Sequence, residues 1–223
     1  MVFFLCAVLL AFKFFGKTGL YAFSVFAILL SNIQVCLSID VFGVAATGGN
    51  AIYAATFLTT DILSERYGKK TADRAVTLGF FAMLLWLCGT QITLLFVPNE
   101  ADFAYPAMKE LFSILPRLTL GSLLAYLASQ YADVRLYHAI WKRSGNSEKF
   151  LWLRNNGSTL VSQLIDTVIF VTVAFLGVYE TDVFISIMVT TYLFKAICAL
   201  CDTPFMYIAR KIKIKDEKDA AKR

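Results

Sequence analysis

The chain has 223 residues, a formal net charge of +5 at pH 7, and 58% hydrophobic residues, among them 20 Phe. A soluble domain is nearer half apolar, and here the apolar residues fall in long blocks, so the composition predicts a protein embedded in a lipid bilayer. Because a spanning helix takes about 20 residues, the blocks use nearly the whole chain and exclude a separate soluble catalytic domain. The positive charge then reports on membrane topology rather than on nucleic-acid binding.

Seven apolar blocks follow one another and predict an all-α, polytopic membrane bundle of six or seven transmembrane helices. The blocks are Val2–Phe15, Leu20–Ser38, Val44–Leu63, Ala75–Val97, Leu111–Tyr131, Leu160–Val178 and Val183–Ile208. The first block is short, and whether it spans the membrane is left open. Gly48-Gly49-Asn50 interrupts the third block, either as a loop or as the break of a discontinuous helix. We predict one transmembrane domain over residues 1–210 and a charged cytoplasmic tail over residues 211–223.

The connections between the blocks alternate in charge. Lys13 and Lys17 make the first connection basic, and every second connection after it is also rich in Lys and Arg. The connections between these are acidic or carry no basic excess. The positive-inside rule places all the basic connections and the C-terminus in the cytoplasm, without conflict along the chain.

Polar residues are concentrated in the stretch WLRNNGSTLVSQLIDTVIF, residues 152–170. Asn156, Thr159, Gln163 and Asp166 recur at helical spacing and share one face. A carboxylate at the bilayer centre costs about 3 kcal/mol on insertion scales, so these side chains need partners other than lipid. Interhelical hydrogen bonds would explain one or two such residues. A face with Asn, Gln and Asp together favours a polar cavity within the membrane.

Other blocks bring further polar residues to comparable faces. These candidates are Asp61, Glu65, Arg117, Gln130, Asp133 and Lys195. Lys195 is expected at the same depth as Asp166, and an ion pair between them would explain how both charges are tolerated. For Asp61 and Glu65, a position at the level of the lipid headgroups is the alternative. A cavity lined by carboxylates, amides and aromatic rings suits a flat polar heterocycle.

Enzyme signatures are missing from the sequence. It has no G-x-S-x-G, no H-E-x-x-H and no G-x-x-x-x-G-K-[ST] motif, and its only His is His138. The five Cys lie in apolar blocks, where they are expected to be reduced packing residues. We therefore expect no catalytic residues, no metal and no cofactor, with an integral membrane enzyme as the weaker alternative.

Four stretches together resemble the queuosine precursor transporter family, earlier grouped as the vitamin uptake transporters. They are TDILSERYGKKTADRAV (60–76), LGSLLAYLASQYADV (120–134), WLRNNGSTLVSQLIDTVIF (152–170) and YLFKAICALCDTPFMYIARK (192–211). The resemblance covers most of the chain after residue 50. It implies a bacterial inner-membrane importer of 7-deazaguanine bases, namely 7-cyano-7-deazaguanine, 7-aminomethyl-7-deazaguanine or queuine, for tRNA modification.

The resemblance also frames the expected substrate contacts. The leading candidates are Asp166, Gln163, Asn155 and Asn156, followed by Thr159, Asp61, Glu65, Arg117, Gln130, Asp133 and Lys195. The expected partners are the small-molecule substrate and the lipid bilayer, without direct contact to nucleic acid, and a homo-oligomer is left open. Facilitated diffusion and proton coupling through Asp166 or Glu65 are both open. The alternative function is the substrate-binding membrane subunit of a multi-subunit vitamin-type transporter.

Overall fold

The fold is that of a computed structural model, which describes residues 1–41, 44–144, 150–177 and 180–212. Its elements are the helices α1 (Val2–Gln34), α2 (Asn50–Tyr67), α3 (Lys69–Thr93), α4 (Tyr105–Ser144), α5 (Leu151–Phe175) and α6 (Thr181–Lys211), and the strands β1 (Ser38–Val41) and β2 (Val44–Thr47). The predicted polytopic helical membrane bundle is confirmed. The two strands form an antiparallel pair between α1 and α2, which the sequence analysis did not predict. Residues 213–223 of the predicted tail lie outside the described residues.

Fewer helices than predicted are apolar enough to cross a membrane. In the described residues, α1, α3, α5 and most of α6 meet the length and hydropathy expected of a span, and α4 is a fifth if its two halves, bent near Pro116, count as one. The count falls short of six or seven because α1 contains the first two blocks and α2 is too polar. Five polar side chains of α2 are buried inside the bundle, where they do not contact lipid: Thr56, Thr59, Thr60, Asp61 and Ser64.

α1 consists of two helical arms joined by a sharp bend at Gly16. This residue has φ 56° and ψ −136°, which is a positive-φ conformation that glycine tolerates. A Cβ atom on Gly19 would lie 2.2 Å from the carbonyl oxygen of Ala11, although these residues would be about 12 Å apart along a straight helix. The arms therefore lie side by side. The first apolar block, Val2–Phe15, forms the first arm, and whether it crosses the bilayer stays a prediction.

The basic segments meet at one end of the bundle, here called the basic end. Arg66, at the end of α2, donates through Nη1 to the carbonyl oxygen of Arg210 at 3.0 Å, and its guanidinium lies 5.7 Å from the Phe12 ring. Tyr21 of α1 donates to the carbonyl oxygen of Thr71 in α3 at 3.2 Å. The end of α2, the start of α3 and the end of α6, which carry Arg66, Lys69 and Arg210, therefore lie at the same end of the fold.

The start of α4 and the end of α5 lie together at the opposite end. Arg117 donates through Nε to the carbonyl oxygen of Val173 at 2.9 Å and through Nη2 to that of Leu176 at 2.8 Å. α2 begins at Asn50, immediately after β2, and runs from this side to the basic end. The β1–β2 pair therefore belongs to this end, here called the hairpin end.

Gly79 of α3 allows a close approach of three helices, and replacing it with Ala should destabilise the bundle. A Cβ atom there would lie 2.1 Å from the hydroxyl of Tyr126 in α4 and 2.4 Å from Cδ1 of Ile28 in α1. Tyr126 is fully buried and donates to the carbonyl oxygen of Val76, so it has little room to move. Overpacking of this kind costs about 1–3 kcal/mol, which we expect as a lower melting temperature in detergent.

Gly89 provides the matched control for this substitution. It lies in the same helix, and no neighbouring heavy atom of the described residues comes within 4 Å of the corresponding Cβ position. Gly89→Ala should leave the melting temperature unchanged or raise it, because Ala is the better helix former. Equal melting temperatures for the two variants would contradict the close packing at Gly79.

Candidate functional site

The buried polar side chains of α2, α4, α5 and α6 form three layers along the bundle, and each of these helices contributes to each layer. The lysine layer consists of Tyr53, Ser129, Asp166 and Lys195. The aspartate layer consists of Asp61, Asp133 and Asp202 with Asn155, Thr159 and Ser162 of α5. The arginine layer consists of Glu65, Tyr137, Arg154 and Arg210. Along α2 the successive members are eight and four residues apart, or about 12 and 6 Å of helix rise.

The lysine layer is organised around the carboxylate of Asp166. Its Oδ1 accepts hydrogen bonds from the Tyr53 hydroxyl at 2.6 Å and the Ser129 hydroxyl at 3.1 Å, and its Oδ2 forms an ion pair with the ammonium of Lys195. Lys195 also lies 5.4 Å from the centre of the Tyr53 ring and 5.9 Å from that of Phe170, within the range of cation–π attraction. The predicted Asp166–Lys195 pair is confirmed. Both side chains are almost completely buried.

A cavity of about 40 Å³ lies beside the lysine layer, toward the hairpin end. Its lining residues are Ser31, Asn32, Val35, Gly49, Asn50, Tyr53, Met83, Ser122, Ala125, Asp166, Phe170 and Lys195. α2 begins at this wall, so Gly48-Gly49-Asn50 is the start of a helix and not a break within one. The volume suits a few water molecules and is far below the roughly 300–1,000 Å³ of drug-sized ligand pockets. Admission of a heterocycle therefore requires the cavity to widen.

The aspartate layer holds three carboxyl groups that are at most 1% exposed. Thr159 donates to Asp61 at 3.3 Å and Ser162 donates to Asp133 at 2.9 Å. Asn155 donates through its amide nitrogen to Asp202 at 2.6 Å. Within the described ranges, no Lys, Arg or His side chain forms an ion pair with these carboxyl groups, and no group of three or more His, Cys, Asp or Glu is arranged to hold a metal ion.

The arginine layer closes the basic end through Glu65. Arg154 is fully buried and donates through Nη2 to both carboxylate oxygens of Glu65, at 3.0 and 3.1 Å. Tyr137 donates to the same carboxylate at 2.7 Å, and Nε of Arg210 lies 3.6 Å from it. The Arg154 guanidinium also lies 4.9 Å from the centre of the Trp141 ring. Glu65 is thus held inside the bundle by side chains of three other helices.

Three further predicted residues make contacts outside the cavity. Gln130 donates to the Thr56 hydroxyl at 2.9 Å, and the Asn156 amide donates to the Thr203 hydroxyl at 2.7 Å. Arg117 is exposed at the hairpin end, where it binds the last carbonyl groups of α5. Of the predicted residues, the structure places only Asp166 and Lys195 in the cavity wall.

Gln163 is buried, and neither atom of its amide has a hydrogen-bond partner in the described part of the chain. A buried amide without partners costs free energy, so its presence calls for an explanation. It lies one turn from Asp166 and one turn from Thr159 on α5, between the lysine and aspartate layers. Both the donor and the acceptor of this amide could therefore hydrogen-bond to a polar ligand.

The sequence analysis did not select several residues of the site. Tyr53, Asn32, Asn50 and Phe170 line the cavity, and Arg154 is the main partner of Glu65. A signal for Tyr53 existed, because it lies on the face of α2 that also carries Asp61. The sequence offered no comparable signal for Asn32, a single amide in an apolar block.

A family model described as "Putative vitamin uptake transporter" matches residues 47–209, which contain the lysine and aspartate layers and most of the arginine layer. The chain belongs to this family. A Bacillus subtilis (strain 168) protein named "Probable queuosine precursor transporter" is 46% identical over 213 residues, which cover 96% of this chain and 93% of the relative. An Escherichia coli (strain K12) protein named "Queuosine precursor transporter" is 25% identical over 183 residues, covering 80% of this chain and 78% of the relative. No solved structure matches the chain.

Family membership confirms the resemblance noted in the sequence and the class of the protein. The chain is a multi-pass membrane transporter and not an enzyme.

Proposed function

We propose that the chain imports queuosine precursors, which are 7-deazaguanine bases, across the bacterial inner membrane. The observation that carries this proposal is the cavity in which a carboxylate, an ammonium group and aromatic rings lie together at the lysine layer. A deazaguanine is flat and polar, with ring N–H and amino donors on one edge and a carbonyl oxygen next to them. The names of the two relatives support the same class of substrate.

The chemistry of the lysine layer matches the edge of such a base. Asp166 accepts hydrogen bonds from the N–H and amino donors, and Lys195 donates to the carbonyl oxygen. Phe170 supplies a ring face for stacking. Asn32 and Asn50, at the hairpin side of the cavity, offer both donors and acceptors for the rest of the molecule.

Binding at this layer requires an exchange of partners. All the hydrogen bonds of Asp166 in the described structure come from Tyr53, Ser129 and Lys195. A base that donates hydrogen bonds to Asp166 must displace at least one of these three side chains. Movement of the displaced side chain would also widen the cavity. The gain from new hydrogen bonds then offsets the loss of the old ones, so the net binding energy depends on how many donors the base offers.

The charge pattern orients the site in the membrane. With the basic end in the cytoplasm, the C-terminus is cytoplasmic and the cavity lies on the external side of the aspartate and arginine layers. The described conformation is then closed toward the cytoplasm by two polar layers. Release requires these layers to separate, as alternating access demands, and Gln163, Asn155, Asn156, Thr159, Asp61, Asp133, Gln130 and Glu65 would line the inward path.

Uptake complementation tests this function. The chain is expressed in a bacterium that cannot synthesise queuosine precursors and lacks its own importer, and the cells receive one of the three bases at nanomolar concentration. We expect queuosine to reappear in tRNA for at least one base, because the imported precursor enters the remaining pathway. Mass spectrometry of digested tRNA measures it.

The control for complementation is the empty vector, together with an immunoblot that locates the chain in the membrane fraction. Restoration by this chain alone would also argue against a role as one subunit of a multi-subunit transporter. No queuosine with any of the three bases, despite confirmed membrane insertion, would contradict the proposed substrate class.

A further inference from the structure

The aspartate layer contains three buried carboxyl groups whose presence the substrate site does not explain. Buried charges are normally paired, because the cost of removing an ion from water is large. The basic side chains of the two neighbouring layers are engaged elsewhere: Lys195 pairs with Asp166, and Arg154 and Arg210 pair with Glu65. Neither α1 nor α3 contributes a hydrogen bond or ion pair to Asp61 or Asp133 within the described residues.

The unpartnered atoms of this layer are all hydrogen-bond acceptors. The Asp61 and Asp133 carboxyl groups are buried close enough to interact electrostatically, and two ionised carboxylates at that distance repel each other. Oδ1 of Asp61 and Oδ2 of Asp133 receive no hydrogen bond in the described part of the chain. Oδ1 of the Asn155 amide, whose nitrogen donates to Asp202, is likewise buried and without a donor. The layer as a whole therefore lacks a proton or another donor.

We propose that Asp61 and Asp133 share a transported proton and that its movement is coupled to import of the base. This rests on the proposed function. A carboxyl group of the pair takes one proton from the external side when the base binds, forming an O–H bond. It releases the proton to the cytoplasm when the layers separate. One proton and one base enter together, and the carboxylate is restored.

The size of the site selects a proton over a larger ligand. The described cavity lies at the lysine layer and does not include Asp61, Asp133 or Asp202 among its lining residues. The side chains around the pair from α5 are neutral, namely Thr159, Ser162 and Ser158. A proton needs no cavity, and these hydroxyl groups can donate to the carboxylate form.

The surrounding charges favour binding and release of a proton at this depth. Asp202 of α6 is a third buried carboxyl group beside the pair, and like charges so close together in a buried site disfavour ionisation of all three. Glu65 and Tyr137 follow one turn later on α2 and α4, with Arg154 and Arg210 bound to Glu65. Separation of the arginine layer would expose the pair to cytoplasmic water.

Shared helices link the pair to the substrate site. Asp61 follows Tyr53 by eight residues on α2, and Asp133 follows Ser129 by four residues on α4. Tyr53 and Ser129 both donate to Asp166, so loss of these hydrogen bonds on substrate binding would shift the two helices that carry the proton site. Binding of base and proton are thereby coupled through rigid elements.

Flux measurements in liposomes test the coupling. The purified full chain is reconstituted with a pH-sensitive dye inside, and labelled 7-cyano-7-deazaguanine is added outside. With the outside more acidic by one pH unit, coupling to one proton should raise accumulation by up to about tenfold, since one pH unit is a tenfold ratio. Base entry should acidify the interior, and a protonophore should abolish the accumulation.

Variants and infrared spectra assign the effect to the pair. Asp61→Asn should lose the response to the gradient together with the infrared band of a protonated carboxyl group, and Asp133→Asn is the second variant in case the first does not fold. Asp182→Asn, which removes an exposed carboxylate at the start of α6, is the matched control and should retain both properties.

The outcomes separate this proposal from the proposed function. Exchange of labelled base in the wild type without a gradient, combined with no response to the gradient, would overturn the coupling and leave the substrate in place. Persistence of the carboxyl band in both variants would also overturn it. Failure of every base to exchange would overturn the substrate class, while the infrared band would still decide whether the pair holds a proton.

Discussion

Asp166→Asn should abolish uptake and lower the melting temperature of the protein in detergent. The substitution removes the counter-charge of Lys195, which is almost completely buried and has its ion pair with Asp166. Breaking a buried ion pair from one side typically costs about 3–5 kcal/mol, because the remaining charge stays in a medium of low polarity. The carboxylate is also the proposed acceptor for the donor edge of the base. Uptake is measured as queuosine in tRNA, and stability as the melting temperature.

A double variant separates the structural effect from the functional one. Asp166→Asn combined with Lys195→Met removes both charges, and replacing a buried pair with neutral groups is often tolerated. The double variant should regain part of the lost melting temperature without regaining uptake. Normal uptake by the single variant would contradict a substrate role for Asp166. Recovery of uptake in the double variant would do so as well.

The sequence was sufficient to predict the Asp166–Lys195 pair because the cost of an isolated charge in a bilayer limits the alternatives. Two opposite charges at similar depth, on two adjacent apolar blocks, can lower that cost by pairing. Helical periodicity also placed Asp166 on one face with Thr159 and Gln163. These arguments need only local spacing and depth, which the sequence contains.

The remaining partners depend on how the helices are rotated and packed, which periodicity does not determine. Tyr53 donates to Asp166 across 113 residues, and Arg154 donates to Glu65 across 89. Sequence spacing places each residue on a face of its own helix, but many rotations of the neighbouring helix would satisfy the same pattern. The position of Asn32 in the cavity wall could not be predicted from the sequence for the same reason.

The polar composition of α2 lowers its hydropathy because hydropathy treats every face of a helix as if it met lipid. α2 carries a row of buried Thr and Asp side chains that face other helices, and it falls below the hydropathy expected of a span. The strand pair between α1 and α2 was also missed, because β2 was included in the third block and most of β1 was taken as the connection before it. The bend at Gly16 separates the first two blocks as predicted, within one continuous element.

The three layers have different energetic characters, although the same four helices build them. The lysine and arginine layers contain matched charges with several hydrogen bonds, which favours a single well-defined arrangement. The aspartate layer between them contains only acidic and neutral side chains. Two layers with paired charges thus enclose a layer of carboxyl groups without paired charges. In the proposed mechanism the paired layers break and re-form their contacts during transport, and the middle layer binds and releases the proton.

Arg154→Ala should be among the most destabilising substitutions in the arginine layer and should strongly reduce uptake. It removes two hydrogen bonds to Glu65 and the contact with the Trp141 ring, and leaves Glu65 with Arg210 at 3.6 Å and Tyr137. Loss of one partner of a buried pair costs about 3–5 kcal/mol, and the layer that closes the basic end would be weakened. Melting temperature in detergent and queuosine in tRNA measure the two effects.

Arg154→Lys and Arg135→Ala are the comparisons that make this prediction specific. Lys retains the charge but lacks the planar guanidinium, so Arg154→Lys should recover only part of the stability. Arg135 of α4 is exposed, and its contacts in the described residues are with the carbonyl oxygen and the ring of Tyr131 on the same helix, so its loss should have little effect. Equal melting temperatures for Arg154→Ala and Arg135→Ala would mean that the arginine layer does not hold the basic end together. Full recovery by Arg154→Lys would instead mean that charge alone is sufficient there.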